Sequence, residues 1–311
     1  MARPASWFPE RSRRARTFPV GIFGAEETRF MAPAAILLRN GARIPLLHAV
    51  PFLAVHLGCL AAFWVGFRWS YVVVCLAVCY VRMFFVTAGY HRYFSHRSFK
   101  TSRVFQFVMA FCATTSTQKG VLWWAAHHRH HHRYSDTDED LHSPTLFGFW
   151  WSHVGWILSD RYNATRVELI GDFYKYPELR WLNRCHLVPP ITLAVALFLI
   201  GGWGMLVWGF FISTVLLWHA SFTINSLSHL FGWRRYETSD TSRNNPFLAL
   251  LTMGEGWHNN HHHYMASARQ GFFWWEVDLT YYTLRVLSWF KIVWDLRQPP
   301  EALLTPSAAR S

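Results

Sequence analysis

Residues 70–96 read SYVVVCLAVCYVRMFFVTAGYHRYFSH. Ser70–Tyr90 is apolar and long enough to cross a bilayer, which takes about 20 residues. It runs directly into His91 and His96. A span that delivers imidazoles at its end sets the terms for the rest of the chain.

On either side, three more stretches have spanning length: Ile44–Phe67, Leu187–Trp203 and Gly204–Leu230. Only a turn around Arg68 separates the first pair, and Gly201-Gly202-Trp203-Gly204 joins the second. The expected architecture is therefore an all-α integral membrane protein. Four transmembrane helices form two hairpins, and a cytosolic helical cap holds the chemistry. Arg11, Arg13, Arg14, Arg16, Arg29, Arg39 and Arg43 precede the first span, while the two short turns hold only Arg68. The positive-inside rule then puts both termini and the middle segment in the cytoplasm. Residues 1–43 form a basic N-terminal segment and 44–297 the membrane domain. The spans lie near 44–67, 70–90, 187–203 and 204–230, the cap takes 91–186 and 231–297, and 298–311 is a tail. Residues 1–30 and 298–311 have the Arg, Pro, Ser and Ala content of poorly ordered chain. No secretory signal is expected from the long, arginine-rich start. Residues 104–126 are also apolar, but their Thr-Thr-Ser-Thr-Gln-Lys-Gly centre is polar. A fifth span there would part the histidines across the membrane, so a cap or interface helix is expected.

Composition agrees. The chain is 52% hydrophobic and 18% aromatic, with 15% charged residues, against about 25% charged in soluble domains. The net charge of +12 sits beside apolar spans, which suits anionic lipid rather than nucleic acid. Cys59, Cys75, Cys79, Cys112 and Cys185 form no CxxC pair and no disulfide framework.

The 18 histidines cluster next to the spans. His91 and His96 follow the second. His127-His128-Arg129-His130-His131-His132 lies in the middle segment, and His258-Asn259-Asn260-His261-His262-His263 follows the fourth span. His128, His131 and His132 have i, i+3, i+4 spacing, as do His258, His261 and His262. On a helix each trio shares a face and is expected to aim at one point. The five-residue step from His91 to His96 suggests a helix end. Asn225 and His229 are polar residues within the last span, which marks them as functional candidates. Single histidines such as His48, His56 and His219 read as core residues. Neutral imidazole suits iron, zinc and copper. Nine candidate nitrogens exceed one tetrahedral zinc and match two metals. Carboxylates that commonly orient such imidazoles are available in Asp136, Asp138, Glu139, Asp140 and Glu255; none is needed as a catalytic acid or base.

With their flanks TAGYHRYFSHRSFK, SHVGW, NSLSHLFGWRRY and GEGWHNNHH, these boxes resemble the membrane-bound acyl-CoA desaturases of the stearoyl-CoA Δ9 type. The resemblance runs from about Thr87 to Tyr264. It implies two irons held by His91, His96, His128, His131, His132, His229, His258, His261 and His262, with Asn225 acting through water. His127, His130 and His263 fall outside that set. It also implies a kinked acyl tunnel lined by Gln118, Trp124, Ser221 and Phe222, with far positions around Cys75 and Cys79. Ala126 and His127 stand where the animal enzymes carry the Arg-Asp pair that contacts coenzyme A. The implied substrate is a long-chain acyl-CoA, with an acyl carrier protein or a lipid ester as alternative carriers. O2 is the oxidant. No fused cytochrome b5-like segment is read, so a separate electron donor, cytochrome b5-like or ferredoxin-type, is expected. A di-iron hydroxylase of alkanes or lipids is the alternative, but sterol-type relatives usually have a three-residue gap in the first box, and here the gap is four. A metal transporter would place ligands along a path across the bilayer, not at one face.

Overall fold

The computed structural model describes residues 35–37 and 42–304. The expected basic segment 1–43 lies outside them except for short pieces. Strand β1 (Ala35–Leu37) pairs antiparallel with β2 (Arg43–Pro45), Leu37 opposite Arg43.

Helix dominates the chain beyond Pro45. Among the described residues, three helical segments are long and apolar enough to cross a membrane: Leu46–Val65, Trp69–Ser95 and Val188–His229. The first begins as α1 (Leu46–Gly58) and ends where Gly66 takes φ +75°. It exposes Leu47, Leu57 and Phe63, a surface that water would penalise and lipid tails would not. The second is α2 (Trp69–Phe84). It continues without a break as a π-helical segment, Phe85–Ser95, five residues beyond the expected end at Tyr90.

The third comprises α6 (Val188–Leu206), a π-helical stretch at Val207–Ile212 and α7 (Ser213–Ser226). It is not straight. Gly201 and Gly202 leave helical geometry, and Gly202 has φ +61° and ψ −153°, a conformation glycine adopts without a side-chain clash. Beyond it, a Cβ built on Gly209 would lie 3.1 Å from Leu197 Cδ2. Twelve residues of unbroken helix would separate those positions by about 18 Å. The break meets the end of the first segment. Trp203 and Trp64 rings are 5.8 Å apart, and Trp208 Nε1 donates to the Gly66 carbonyl at 3.1 Å.

Between the second and third segments, β3 (Lys100–Thr101) leads into α3 (Arg103–Thr114). The apolar stretch 104–126 is thus divided. A 12-residue helix is too short to span, and it stops at the polar centre. Then come α4 (Val121–Tyr134), carrying the second histidine box, and α5 (Pro177–Arg184). After α7 come α8 (Pro246–Leu251), α9 (His258–His263) and α10 (Leu279–Trp289). Strand β4 (Val293–Trp294) pairs with β3 and ties the two ends of this region. Met83, Ala88, Tyr90, Met109, Ala113, Leu122 and Leu217 form one buried core beneath the histidines. The described part of the 298–311 tail is docked. Glu301–Leu304 forms a 3-10 turn, and Tyr236 Oη donates to the Leu303 carbonyl at 2.6 Å. Residues 305–311 lie outside the described residues.

Candidate metal centre

The π-helical segment explains the five-residue step in the first box. In an α-helix, residues five apart point about 140° away from each other. Here the backbone closes i→i+5 bonds, including His96 N to His91 O at 3.2 Å. That brings the two rings to 4.8 Å. The helix ends at Ser95, within the box as expected, and its π-helical bonds are what turn both imidazoles the same way.

The two trios are not each aimed at one point. His128 and His132 join His91, His96 and His261 in one group, while His131 joins His229, His258 and His262 in another. Within each group the ligand atoms lie within 4.8 Å of one another. Helical geometry gives the reason: i and i+4 differ by about 40°, whereas i+3 falls about 60° to the other side. Each helix sends its i, i+4 pair to one group and its i+3 residue to the other, with opposite assignment on α4 and α9. The nine histidines thus divide five and four.

The spacing of the nitrogens fits metal coordination. In the first group, Nε2–Nε2 separations run 2.9 Å (His96–His128), 3.0 Å (His128–His132), 3.0 Å (His132–His261) and 3.0 Å (His261–His91). In the second, His229 and His258 are 3.1 Å apart. Two nitrogens bound at about 2.1 Å lie about 3.0 Å apart at a right angle and about 3.4 Å apart in a tetrahedron. The observed edges match the right angle. His262 Nε2 is buried with no protein partner, as are the Nδ1 atoms of His258 and His261.

Four carboxylates hold the rings from behind. His131 Nδ1 donates to Asp140 Oδ1 at 2.9 Å, His229 Nδ1 to Asp136 Oδ2 at 3.1 Å and His262 Nδ1 to Asp240 Oδ2 at 2.6 Å. His91 Nδ1 pairs with Glu255. Each contact fixes the tautomer that leaves Nε2 free to bind metal. Glu255 is itself held by the buried Arg92, which also pairs with Asp278 at 3.0 Å. Burial, reinforced by neighbouring imidazoles, holds His96, His128, His132, His258 and His261 well below the ordinary histidine pKa. His262 falls to about 4. Burial also pulls His131 down, but Asp140, Asp136 and Asp240 more than offset it, so it ends raised. Burial alone would raise Asp136, Asp140 and Asp240. Their imidazole and hydrogen-bond partners keep all three well below the carboxylate range.

Of the expected orienting carboxylates, Asp136, Asp140 and Glu255 sit on imidazoles, while Asp138 and Glu139 are exposed. Asp240 was not anticipated. It lies 22 positions from His262, with no spacing signal to reveal it. His142 was also missed: it is buried, its ring lies 4.2 Å from that of His131, and with His131 and Asp140 it makes a third potential metal-holding group. The asparagines of the third box are structural. Asn244 Oδ1 accepts from the Asn259 and Asn260 amides at the start of α9. His130 bonds the Glu139 carbonyl and His263 stacks on Tyr236, both away from the groups. His56, His219 and His153 form a chain at 3.1 and 3.0 Å.

A cavity of about 270 Å³ reaches the first group. Its wall includes Gln118, Trp124, Ser221 and Phe222, together with His128 and Asn225. Trp124 Nε1 donates to Gln118 Oε1 at 3.2 Å, and Gln118 Nε2 to Ser221 Oγ at 2.9 Å. Trp124 also stacks on His128 at 5.0 Å. Cys75 and Cys79 are not part of this wall. They are buried one turn apart on α2, whereas Trp218, Ser221 and Phe222 of α7 line the cavity.

The family model for fatty acid desaturases matches residues 67–286. The chain is 38% identical over 229 residues to an sn-1 stearoyl-lipid 9-desaturase of Synechocystis sp., covering 72% of this chain and 70% of the relative. It is 38% identical over 262 residues to an acyl-CoA 5-desaturase of Anemone leveillei, covering 82% and 80%. A chloroplastic palmitoyl-monogalactosyldiacylglycerol delta-7 desaturase of Arabidopsis thaliana is 36% identical over 255 residues, covering 80% and 68%. The chain belongs to the fatty acid desaturase family. It is an oxidoreductase acting on acyl chains, with apolar helices of spanning length and histidine clusters suited to metal.

Proposed function

We propose that this protein is a four-span membrane desaturase that inserts a cis Δ9 double bond into a carrier-bound long-chain acyl group, using two irons. The observation that carries the reading is the division of nine buried or partly buried imidazoles into five and four, at the end of a largely apolar cavity.

Iron is favoured over structural zinc by the right-angle nitrogen edges and by the need for a redox metal. His91, His96, His128, His132 and His261 would hold one ion. His131, His229, His258 and His262 would hold the other, with Asn225 acting through water. When bound, the pair supplies the oxidation: with O2, two electrons and two protons, adjacent methylenes each lose a hydrogen, leaving a double bond and two waters. The protein's own part is placement. Trp124, Gln118 and Ser221 form a hydrogen-bonded rib across the cavity that holds the chain in a bend. Trp156, Trp218 and Phe222 exclude water. All methylenes being chemically alike, position along this cavity selects the bond.

A 42-residue apolar segment is about twice what one crossing requires. The break at Gly201–Gly202 and the approach of Leu197 to Gly209 support two crossings there, and hence four spans in two hairpins. The histidines would then lie on one face, under a cap formed by 91–186 and 231–297. Both termini, including the 1–43 segment and the 298–311 tail, would be cytoplasmic. Coenzyme A and lipid esters both occur among the relatives' substrates, and an acyl carrier protein remains a third carrier. The electrons would come from a donor of cytochrome b5 or ferredoxin type.

Expression in a host without its own desaturase tests this, with fatty acids resolved by gas chromatography and double bonds localised. New monounsaturated chains and about two irons per chain are expected. His131→Ala should abolish the product while membrane insertion persists. Hydroxylated products, or one zinc without iron, would overturn the reading.

A further inference from the structure

We propose that Lys119, with Asn163 and His48, seats the phosphate of a phosphoglycerolipid whose acyl chain enters the cavity sideways from the bilayer. The inference rests on the desaturase reading and names its substrate class.

The position of the opening comes first. Among the residues lining the cavity, Pro51 and Leu187 are exposed. Pro51 lies in α1 and Leu187 immediately precedes α6, so the opening lies between the starts of the first and third long apolar segments. With four crossings both starts would lie at the cytoplasmic membrane surface, so the mouth would open at the level of the lipid head groups.

Charge comes second. Lys119 lines the same cavity, as do His48 and His186. Lys119 Nζ donates to Asn163 Oδ1 at 2.6 Å and lies 4.7 Å over the Trp123 ring. Both partners are neutral, and no carboxylate among the described residues forms an ion pair with this ammonium. Burial lowers its pKa to about 8, with nothing opposing the shift. Asn163 Nδ2 is also 3.3 Å from His48 Nε2, which draws the three side chains into one collar. A half-buried cation without a counter-charge, at the mouth of an acyl cavity, is completed by an anion on the ligand.

Backbone conformation comes third. Thr117 and Lys119 hold φ of +62° and +63°, a region that side chains disfavour. Such strain persists where surrounding structure enforces it, commonly at ligand sites. Between these two residues Gln118 lines the same cavity. One short loop thus presents the head-group cation and part of the chain-bending rib together. Two turns further on, His127 lines the same cavity as a neutral imidazole bonded to the Trp123 carbonyl at 2.8 Å, so it offers the head group no second cation.

The test uses the full chain in a host without a desaturase, grown without O2 on isotopically labelled stearate so that the label enters phospholipid. Acyl activation and fatty-acid synthesis are then blocked, O2 is admitted, and intact phospholipids are read by mass spectrometry. Labelled chains should become monounsaturated within pre-existing phospholipid. If unsaturation appears only while acyl thioesters are being made, the lipid-carrier inference is overturned and the desaturase reading stands. If it appears under neither condition, the desaturase reading itself fails. Lys119→Gln should lower conversion about tenfold, the scale of one charge-assisted hydrogen bond. Lys119→Arg should restore most of it, and both variants should keep wild-type iron content. Wild-type conversion by Lys119→Gln would overturn the role of Lys119.

Discussion

Asp240 contacts no metal group directly, yet its carboxylate at 2.6 Å decides which nitrogen of His262 carries the proton. Asp240→Asn keeps the size and removes the charge. The amide can turn its NH2 toward Nδ1 and favour the wrong tautomer. Outer contacts of this kind are worth about 10- to 100-fold in metal affinity. Asp240→Asn should therefore lose metal to a chelator series at correspondingly lower concentration, while Asp138→Asn, at an exposed position, should match wild type. Equal retention by both would refute the role given to Asp240. The contrast also marks what was legible at this scale. Imidazoles are informative because they cluster at helical spacing. Asp240 is one acidic residue in a polar loop, and its partner is determined only by tertiary packing. For the same reason the sequence could suggest nine ligands without revealing that His131 and His261 cross to opposite groups. That division depends on how α4 and α9 face each other.

At the scale of elements, glycine pairs and apolar length located the break near residue 201 in advance, because glycine's backbone freedom is a local property. The π-helical run at Phe85–Ser95 was not legible. Its i→i+5 bonds are poorer than α-helical ones and persist only where packing and function select them. Here they seat His91 and His96 on one group. The Gly201–Gly202 break permits a sharper prediction. Nothing lies within 4 Å of a Cβ added at Gly202, so Gly202→Ala meets only the backbone cost of φ +61°. At ψ −153° this is a region almost confined to glycine, and the cost is about 1–3 kcal/mol. The unfolding midpoint in detergent should fall accordingly, and metal content should remain at wild type because the histidines lie on other segments of the chain. An unchanged midpoint would mean the turn relaxes to another conformation.

For the whole molecule, the separation of its two ends yields the remaining prediction. Trp64, Trp203 and Trp208 gather where the first segment meets the Gly201–Gly202 break, in the manner of an aromatic belt at a membrane surface. The histidines follow the opposite ends of those helices. If the chain crosses four times, Phe67 and Gly202 face away from the cytoplasm, and Glu237, exposed beyond His229, faces it. In a chain whose Cys59, Cys75, Cys79, Cys112 and Cys185 are changed to alanine, Phe67→Cys should react with an impermeant maleimide in intact cells. Glu237→Cys should react only after lysis. Labelling of Glu237→Cys in intact cells would invert the orientation and put the centre outside. Labelling of Phe67→Cys but not Gly202→Cys would mean the long third segment does not cross twice. The arginine bias favours the first pattern, and so does the chemistry. On the proposed reading, electrons would reach the centre from a cytoplasmic donor, so the face bearing His91 to His132 would be the face that donor can reach.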